Sequence, residues 1–227
     1  MGDHPMAIAQ RDVAIVDGPA RLPGVLSIPP RSPGLVIFAH GSGSSSRSPR
    51  NVAVAQRLNR DGLATLLFDL LTDDEAADRR NVFDIPLLGR RLMIATEQIG
   101  GEDDIRDAPV GYFGASTGAA AALTAAADLD PELVAAVVSR GGRSDLAGEK
   151  LAAVASPTLL IVGGRDPEVL RLNEEARRHL KGESELVVIP GATHLFEEPG
   201  ALERVAELAS GWFGRHFTAR DRLAAGQ

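Results

Sequence analysis

VGYFGASTGAAAALTAAA, residues 110–127, begins as a short apolar run, turns through Gly114-Ala115-Ser116-Thr117-Gly118 and continues as an alanine-rich segment. An unbroken apolar run of this length suits a strand buried on both faces, and alanine is the strongest helix former. A strand that passes into a helix this abruptly forces its central residue into strained backbone. Such strain is tolerable only where the residues two positions away lack side chains. Gly114 and Gly118 supply that clearance, so the turn lifts Ser116 above the sheet edge and aims the helix N-terminus at the same space. The bland alternative is a tight turn with an incidental serine.

Similar runs recur on either side: 35–39 (LVIFA), 64–68 (ATLLF), 134–138 (VAAVV), 158–162 (TLLIV) and 186–189 (LVVI). Segments with helical habit lie between or after them, at 49–61, 116–127, 166–181 and 199–216. Asp166-Pro167 and Pro199 suit helix starts. The alternation predicts a parallel sheet with helices on both faces. Upstream, 13–16 and 22–28 flank Asp17-Gly18-Pro19, which suits an antiparallel hairpin at one sheet edge. The expected fold class is therefore α/β, with about eight strands, mixed at the edge and parallel within. One segment breaks the rhythm: 70–84 (LLTDDEAADRRNVFD) is highly charged and lacks clear periodicity. It is either a solvated excursion or part of a site wall.

The chain has 227 residues, enough for one α/β domain over residues 1–227, with about ten residues at each end expected to fray. Acidic side chains number 31 against 24 basic, a formal net charge of −7, which disfavours a phosphate-backbone partner. There is no cysteine, which removes disulfides, thiolate metal sites and a cysteine nucleophile together. The opening MGDHPMAIAQ has no apolar region behind a basic start, and no run approaches the ~18 apolar residues of a membrane span. A cytoplasmic protein without a membrane or nucleic-acid partner is expected; its oligomeric state is not readable.

A serine hydroxyl needs a base, and histidine is the natural one near neutrality. Of five histidines, His4 lies in the N-terminal segment, and His179 and His216 fall late in helices, where they complement the helix dipole. His40 ends a buried run and is assigned to holding the loop after it. His194 stands in the loop after the last strand, Pro190-Gly191-Ala192-Thr193-His194-Leu195-Phe196. Asp166, in Gly163-Gly164-Arg165-Asp166-Pro167, follows another strand; it could orient His194 or simply cap its helix. Ser116, Asp166 and His194 all leave the carboxyl ends of parallel strands, the edge where sites of open α/β sheets form. Oxyanion donors are expected from the backbone amides of Thr117 and of Ser42, the latter in the glycine-rich loop His40-Gly41-Ser42-Gly43-Ser44-Ser45-Ser46. That loop matches neither a Walker A motif nor G-x-G-x-x-G. No His, Asp and Glu residues cluster at ligand spacing, so neither metal nor cofactor is expected.

With these residues placed, the chain resembles an α/β-hydrolase and, within that superfamily, is similar to the dienelactone-hydrolase-like group. The resemblance rests on the HGSGSS loop, the GASTG turn, the GGRDP loop and the GATHLF loop, in the order Ser, Asp, His, and runs from about residue 13 to 217. It implies Ser116 as nucleophile, Asp166 as acid, His194 as base, and oxyanion donors at Ser42 and Thr117. Dienelactone hydrolases proper use a cysteine nucleophile, so the serine here looks more like that of a general carboxylesterase. Many members insert a helical cap after the strand at 134–138. Only 140–156 intervenes here, so no cap domain and an open site are expected, partly walled by 70–89 with Leu70, Leu195 and Phe196. The expected activity is serine-dependent hydrolysis of small or medium carboxylic esters. Thioester or lactone hydrolysis on the same residues, or a non-catalytic module of the same fold, are the alternatives.

Overall fold

In a computed structural model, which describes residues 7–224, the apolar runs pair into one sheet of eight strands in the order β1-β2-β4-β3-β5-β6-β7-β8. These are β1 (Ala9–Asp17), β2 (Ala20–Ile28), β3 (Leu35–Ala39), β4 (Ala64–Phe68), β5 (Val110–Ala115), β6 (Val134–Arg140), β7 (Thr158–Gly163) and β8 (Ser184–Ile189). β1 and β2 form the expected antiparallel hairpin, and β2 pairs antiparallel with β4. Every other pairing is parallel. The largely apolar strands β3 to β7 are buried at every position. β8 differs from the reading of its sequence as a strand buried on both faces: it is the last strand of the order, and Val188 is 40% exposed. An edge strand is covered less completely than an inner one.

Among the described residues, five longer α-helices cover the sheet. α4 (Ile85–Gly100), α5 (Thr117–Asp128) and α6 (Pro167–His179) contribute to one apolar layer, with Leu92, Leu123 and Ala176. α1 (Pro49–Arg60) and α7 (Ala201–Ala224) build the other, with Leu58, Trp212 and Phe213. α5 is buried from Thr117 to Ala126, and its small alanine side chains let it lie close against β5.

The charged stretch after β4 is ordered into two single turns, α2 (Asp73–Ala76) and α3 (Arg79–Val82), before α4. Thr72 and Glu75 form a capping box on α2. α4 was not anticipated. Its buried positions Leu88, Leu92, Ala95 and Ile99 recur at helical spacing, and Asp84 caps it ahead of Pro86. The buried Arg91 of α4 clasps the excursion through Leu70 O at 2.7 Å and both carboxylate oxygens of Glu75 at 2.6 and 2.7 Å.

Between β6 and β7 runs only a 3₁₀ segment, Ser144–Ala153, kinked at Gly148, so there is no cap domain. α7 continues to Ala224; residues 225–227, and residues 1–6 with His4, lie outside the described residues. Among the described residues no helix is long and apolar enough to cross a membrane.

Candidate active site

β3 and β5 are neighbours in the sheet, but the chain leaves β3 for β4 on one side and leaves β5 for β6 on the other. Their carboxyl ends therefore flank a topological switch point, where connections diverge and leave a crevice. Ser116 stands at the end of β5 with φ 51° and ψ −121°, left-handed backbone that a serine adopts only under constraint. The constraint is visible. The Ser116 amide donates to Arg140 O at 3.3 Å, and its carbonyl accepts from the Arg143 amide at 3.0 Å. A Cβ at Gly118 would run into the Ala39 carbonyl, and one at Gly114 into the backbone of Ala119. The two glycines thus let β5, α5 and β3 converge on the serine.

Asp166 and His194, read from separate loops, are brought together. His194 Nδ1 lies 2.7 Å from Asp166 Oδ2, and Asp166 also caps α6, its Oδ1 accepting from the Val169 amide at 3.4 Å. One oxygen of Asp166 thus faces His194 while the other caps α6. The two loops are laced by backbone bonds from Arg165 to Ala192 O and from Gly164 to Ile189 O, both 2.9 Å. Gly141, at φ 52°, leaves room for the histidine: a Cβ there would stand 3.2 Å from His194 O and 3.5 Å from Nδ1.

The Ser42 amide does not point into open space; it donates to Thr117 Oγ1 at 2.9 Å, which ties the glycine-rich loop to the first turn of α5. His40 holds the same loop from below. Its Nδ1–H donates to Gly41 O at 3.1 Å, and its Nε2 accepts from the Leu70 amide at 3.0 Å, an arrangement that requires neutral imidazole. Burial pushes the His40 pKa down, with the Gly41 hydrogen bond and Asp69 opposing it. His179 pairs with Glu175 on the surface of α6, and His216 packs against Trp212.

Ser116 and His194 open on one cleft of 280 Å³, whose walls include Ser42, Ser44, Leu195 and two residues that sequence reasoning missed, Arg50 and Arg140. Arg140 is 8% exposed and lies over the Phe196 ring, with Cζ 5.8 Å from the ring centroid. Burial, and secondarily the charge of Arg50, lower its pKa to about 10. The available sequence signal was an arginine closing an otherwise apolar strand at the edge that carries the site. Of the expected wall residues, Leu195 faces the cleft. Phe196 instead turns inward, 1% exposed with φ 56°. Leu70 lines an adjoining hollow of 170 Å³ that shares the glycine-rich loop, Gly41 to Ser44, with that cleft. A larger hollow of 720 Å³ between β2 and α1 is lined by neither Ser116 nor His194. Among the described residues no three His, Asp or Glu side chains gather as a metal would need.

The alpha/beta hydrolase domain family matches residues 32–207. A crystal structure of dienelactone hydrolase from Anabaena variabilis is 52% identical, superposes with a TM-score of 0.89, and is covered over 99% of its chain by 94% of this one. Est1E from Butyrivibrio proteoclasticus shares the fold at 18% identity, with a TM-score of 0.77 over 91% of this chain and 99% of its own. Two Mycobacterium tuberculosis proteins, from strains CDC 1551 and H37Rv, are provisionally named phosphoribosyl transferases. Each is 56% identical to 92% of this chain, which spans 47% of their length.

Proposed function

This chain belongs to the alpha/beta hydrolase domain family and has a dienelactone-hydrolase-like fold, and on that premise we propose that it is a serine ester hydrolase working through an acyl-enzyme. The observation that carries the reading is the cleft shared by a strained Ser116 and by His194, whose Nδ1 is held by Asp166. With Nδ1–H donated to Asp166, the other ring nitrogen, Nε2, is the one left to accept a proton. Ser116 Oγ attacks the ester carbonyl as His194 takes its proton, and the Asp166 carboxylate stabilises the imidazolium. The oxyanion is received by the Thr117 amide and by that of Ser42, which exchanges its resting bond to Thr117 Oγ1 for the developing charge. His194 then protonates the leaving alcohol. Water activated by the same nitrogen attacks the acyl-enzyme and releases the acid.

Likeness to a dienelactone hydrolase at 52% identity supports trying lactones beside open-chain esters as substrates. The name of the mycobacterial relatives describes proteins about twice this length and adds no residue role to this chain. The decisive experiment pairs labelling by a fluorophosphonate with turnover of short p-nitrophenyl esters. Wild type should be labelled at Ser116 and turn over; Ser116→Ala should do neither while keeping its circular dichroism. Turnover in folded Ser116→Ala above a trace would refute the reading.

A further inference from the structure

α6 carries an asparagine in the middle of its buried face. Asn173 is fully buried, on a helix whose other buried residues are Val169 and Ala176. An amide at such a position must be stripped of water, and asparagine favours a helix less than alanine or leucine does. The position therefore costs stability unless its polar atoms are paired. They are paired. Asn173 Oδ1 accepts from Ser144 Oγ at 2.9 Å, and Nδ2 donates to Gly142 O and to Val169 O, both at 2.8 Å. Ser144, itself buried, is joined in turn by Ser139 Oγ at 3.3 Å.

These bonds join two parts of the proposed machinery that lie on different elements. One runs to the first turn of α6, where the Val169 amide donates to Asp166 Oδ1. The others run to the segment after β6. There Gly141 stands against His194, and the Arg143 amide holds the Ser116 carbonyl at 3.0 Å. Gly142, between them, packs so closely that a Cβ on it would meet Ser139 Oγ and Ala119 Cβ. The Gly141 amide bonds Ile161 O at the root of this loop, and Asn173 with Ser144 holds its far side. Asn173 is not among the residues that wall the cleft, yet it binds the helix of the acid to the loop that tethers the nucleophile.

We propose that Asn173 is a positioning residue for ester hydrolysis: it locks the loop at 141–144 to α6 and so sets the Asp166–His194 pair in register with Ser116. The inference deepens the ester-hydrolase reading and rests on it for the reaction. Proton transfer from Ser116 to His194 depends on the distance and angle between groups on separate elements, and a displacement of about 1 Å can cost ~10² in rate. Backbone bonds between the Asp166 and His194 loops fix those two residues to each other. Asn173 fixes them to the strand-end loop beside Ser116.

The test begins with Asn173→Leu, in which a side chain of similar volume leaves Gly142 O and Ser144 Oγ without their partner. On a short p-nitrophenyl ester, kcat of the folded variant should fall roughly 30- to 100-fold while KM stays within about threefold, because the cleft walls are untouched. Ser144→Ala keeps the Gly142 bond and should lower kcat about three- to tenfold, yet add little in the Asn173→Leu background, as members of one linkage do. Ala176→Gly is the control: it loosens the same helix without touching the loop, so the urea midpoint should fall and kcat should not. Asn173→Leu decides where it folds, and Ser144→Ala where it does not. A kcat within about twofold of wild type in the deciding variant, or a loss matched by Ala176→Gly, would overturn the assignment. The ring-proton resonances of His194, identified by their absence from His194→Gln, read the same register without turnover. If wild type cleaves no ester, the hydrolase reading fails by itself. The positioning role then stands if those resonances move in the deciding variant and not in Ala176→Gly, and falls if they stay.

Discussion

Asp166 divides its carboxylate between His194 and the helix it begins: Oδ2 lies 2.7 Å from His194 Nδ1, while Oδ1 accepts the Val169 amide of α6. Asn and Ala substitutions should separate the two tasks. Asp166→Asn keeps a capping oxygen, so the urea midpoint should move little. It cannot hold Nδ1–H against a charge, so kcat for ester hydrolysis should fall by about 10⁴. Asp166→Ala should add a stability loss of ~1 kcal/mol from the missing cap. Equal stability in the two variants would show that the cap contributes nothing.

The elbow depends on backbone contact. Gly118→Ala would place a methyl group against the Ala39 carbonyl, in a turn already pinned by Ser116. Backbone cannot yield as a side-chain end can, so the variant should lose about 3 kcal/mol in urea titration or fail to fold. Gly211→Ala is the matched contrast. Gly211 lies inside α7, with nothing within 4 Å of an added Cβ, and alanine there should stabilise by roughly 0.5–1 kcal/mol.

The features legible in the sequence were those whose cause is local. Strand, tight turn and helix announce themselves around Ser116 because only glycine fits at 114 and 118, and the loops of Asp166 and His194 follow visible strand ends. α4 was obscured by the charged run before it, although its buried residues keep helical spacing. Phe196 was read as a wall residue because the backbone that turns it inward, at φ 56°, leaves no mark in an apolar side chain. Arg140 was passed over for a different reason. An arginine at a strand end is ordinary, and what distinguishes this one is its burial, with Nε and Nη1 unpartnered among the described residues, which is a property of the packed fold.

The clasp of Arg91 on Glu75 makes the 70–84 excursion part of the fold's stability. Arg91, buried, holds the Glu75 carboxyl down at about 2 through its hydrogen bonds. A carboxyl depressed from 4.5 contributes stability that is present above pH 4.5 and is lost as pH falls through about 2. Glu75→Gln removes the charge but leaves Arg91 its bond to Leu70 O, and should cost about 2 kcal/mol at pH 7. The difference between wild type and variant should shrink below pH 4.5. A constant difference down to the acid transition would remove the ion pair as its source.

His40 gives the opposite titration a structural meaning. It must be neutral for Nε2 to accept the Leu70 amide, and burial lowers its pKa below the ordinary 6.5. Between the folded and unfolded values the unfolded chain binds the extra proton, so stability is full above about pH 6.5 and declines as pH falls below it. His216, also lowered by burial, contributes with the same sign. His40→Gln offers an oxygen in place of Nε2 without a titrating ring, so the slope of unfolding free energy between pH 7 and 5 should flatten and leave only the remaining part, to which His216 contributes. An unchanged slope in His40→Gln would mean that His40 is not the source of that pH dependence.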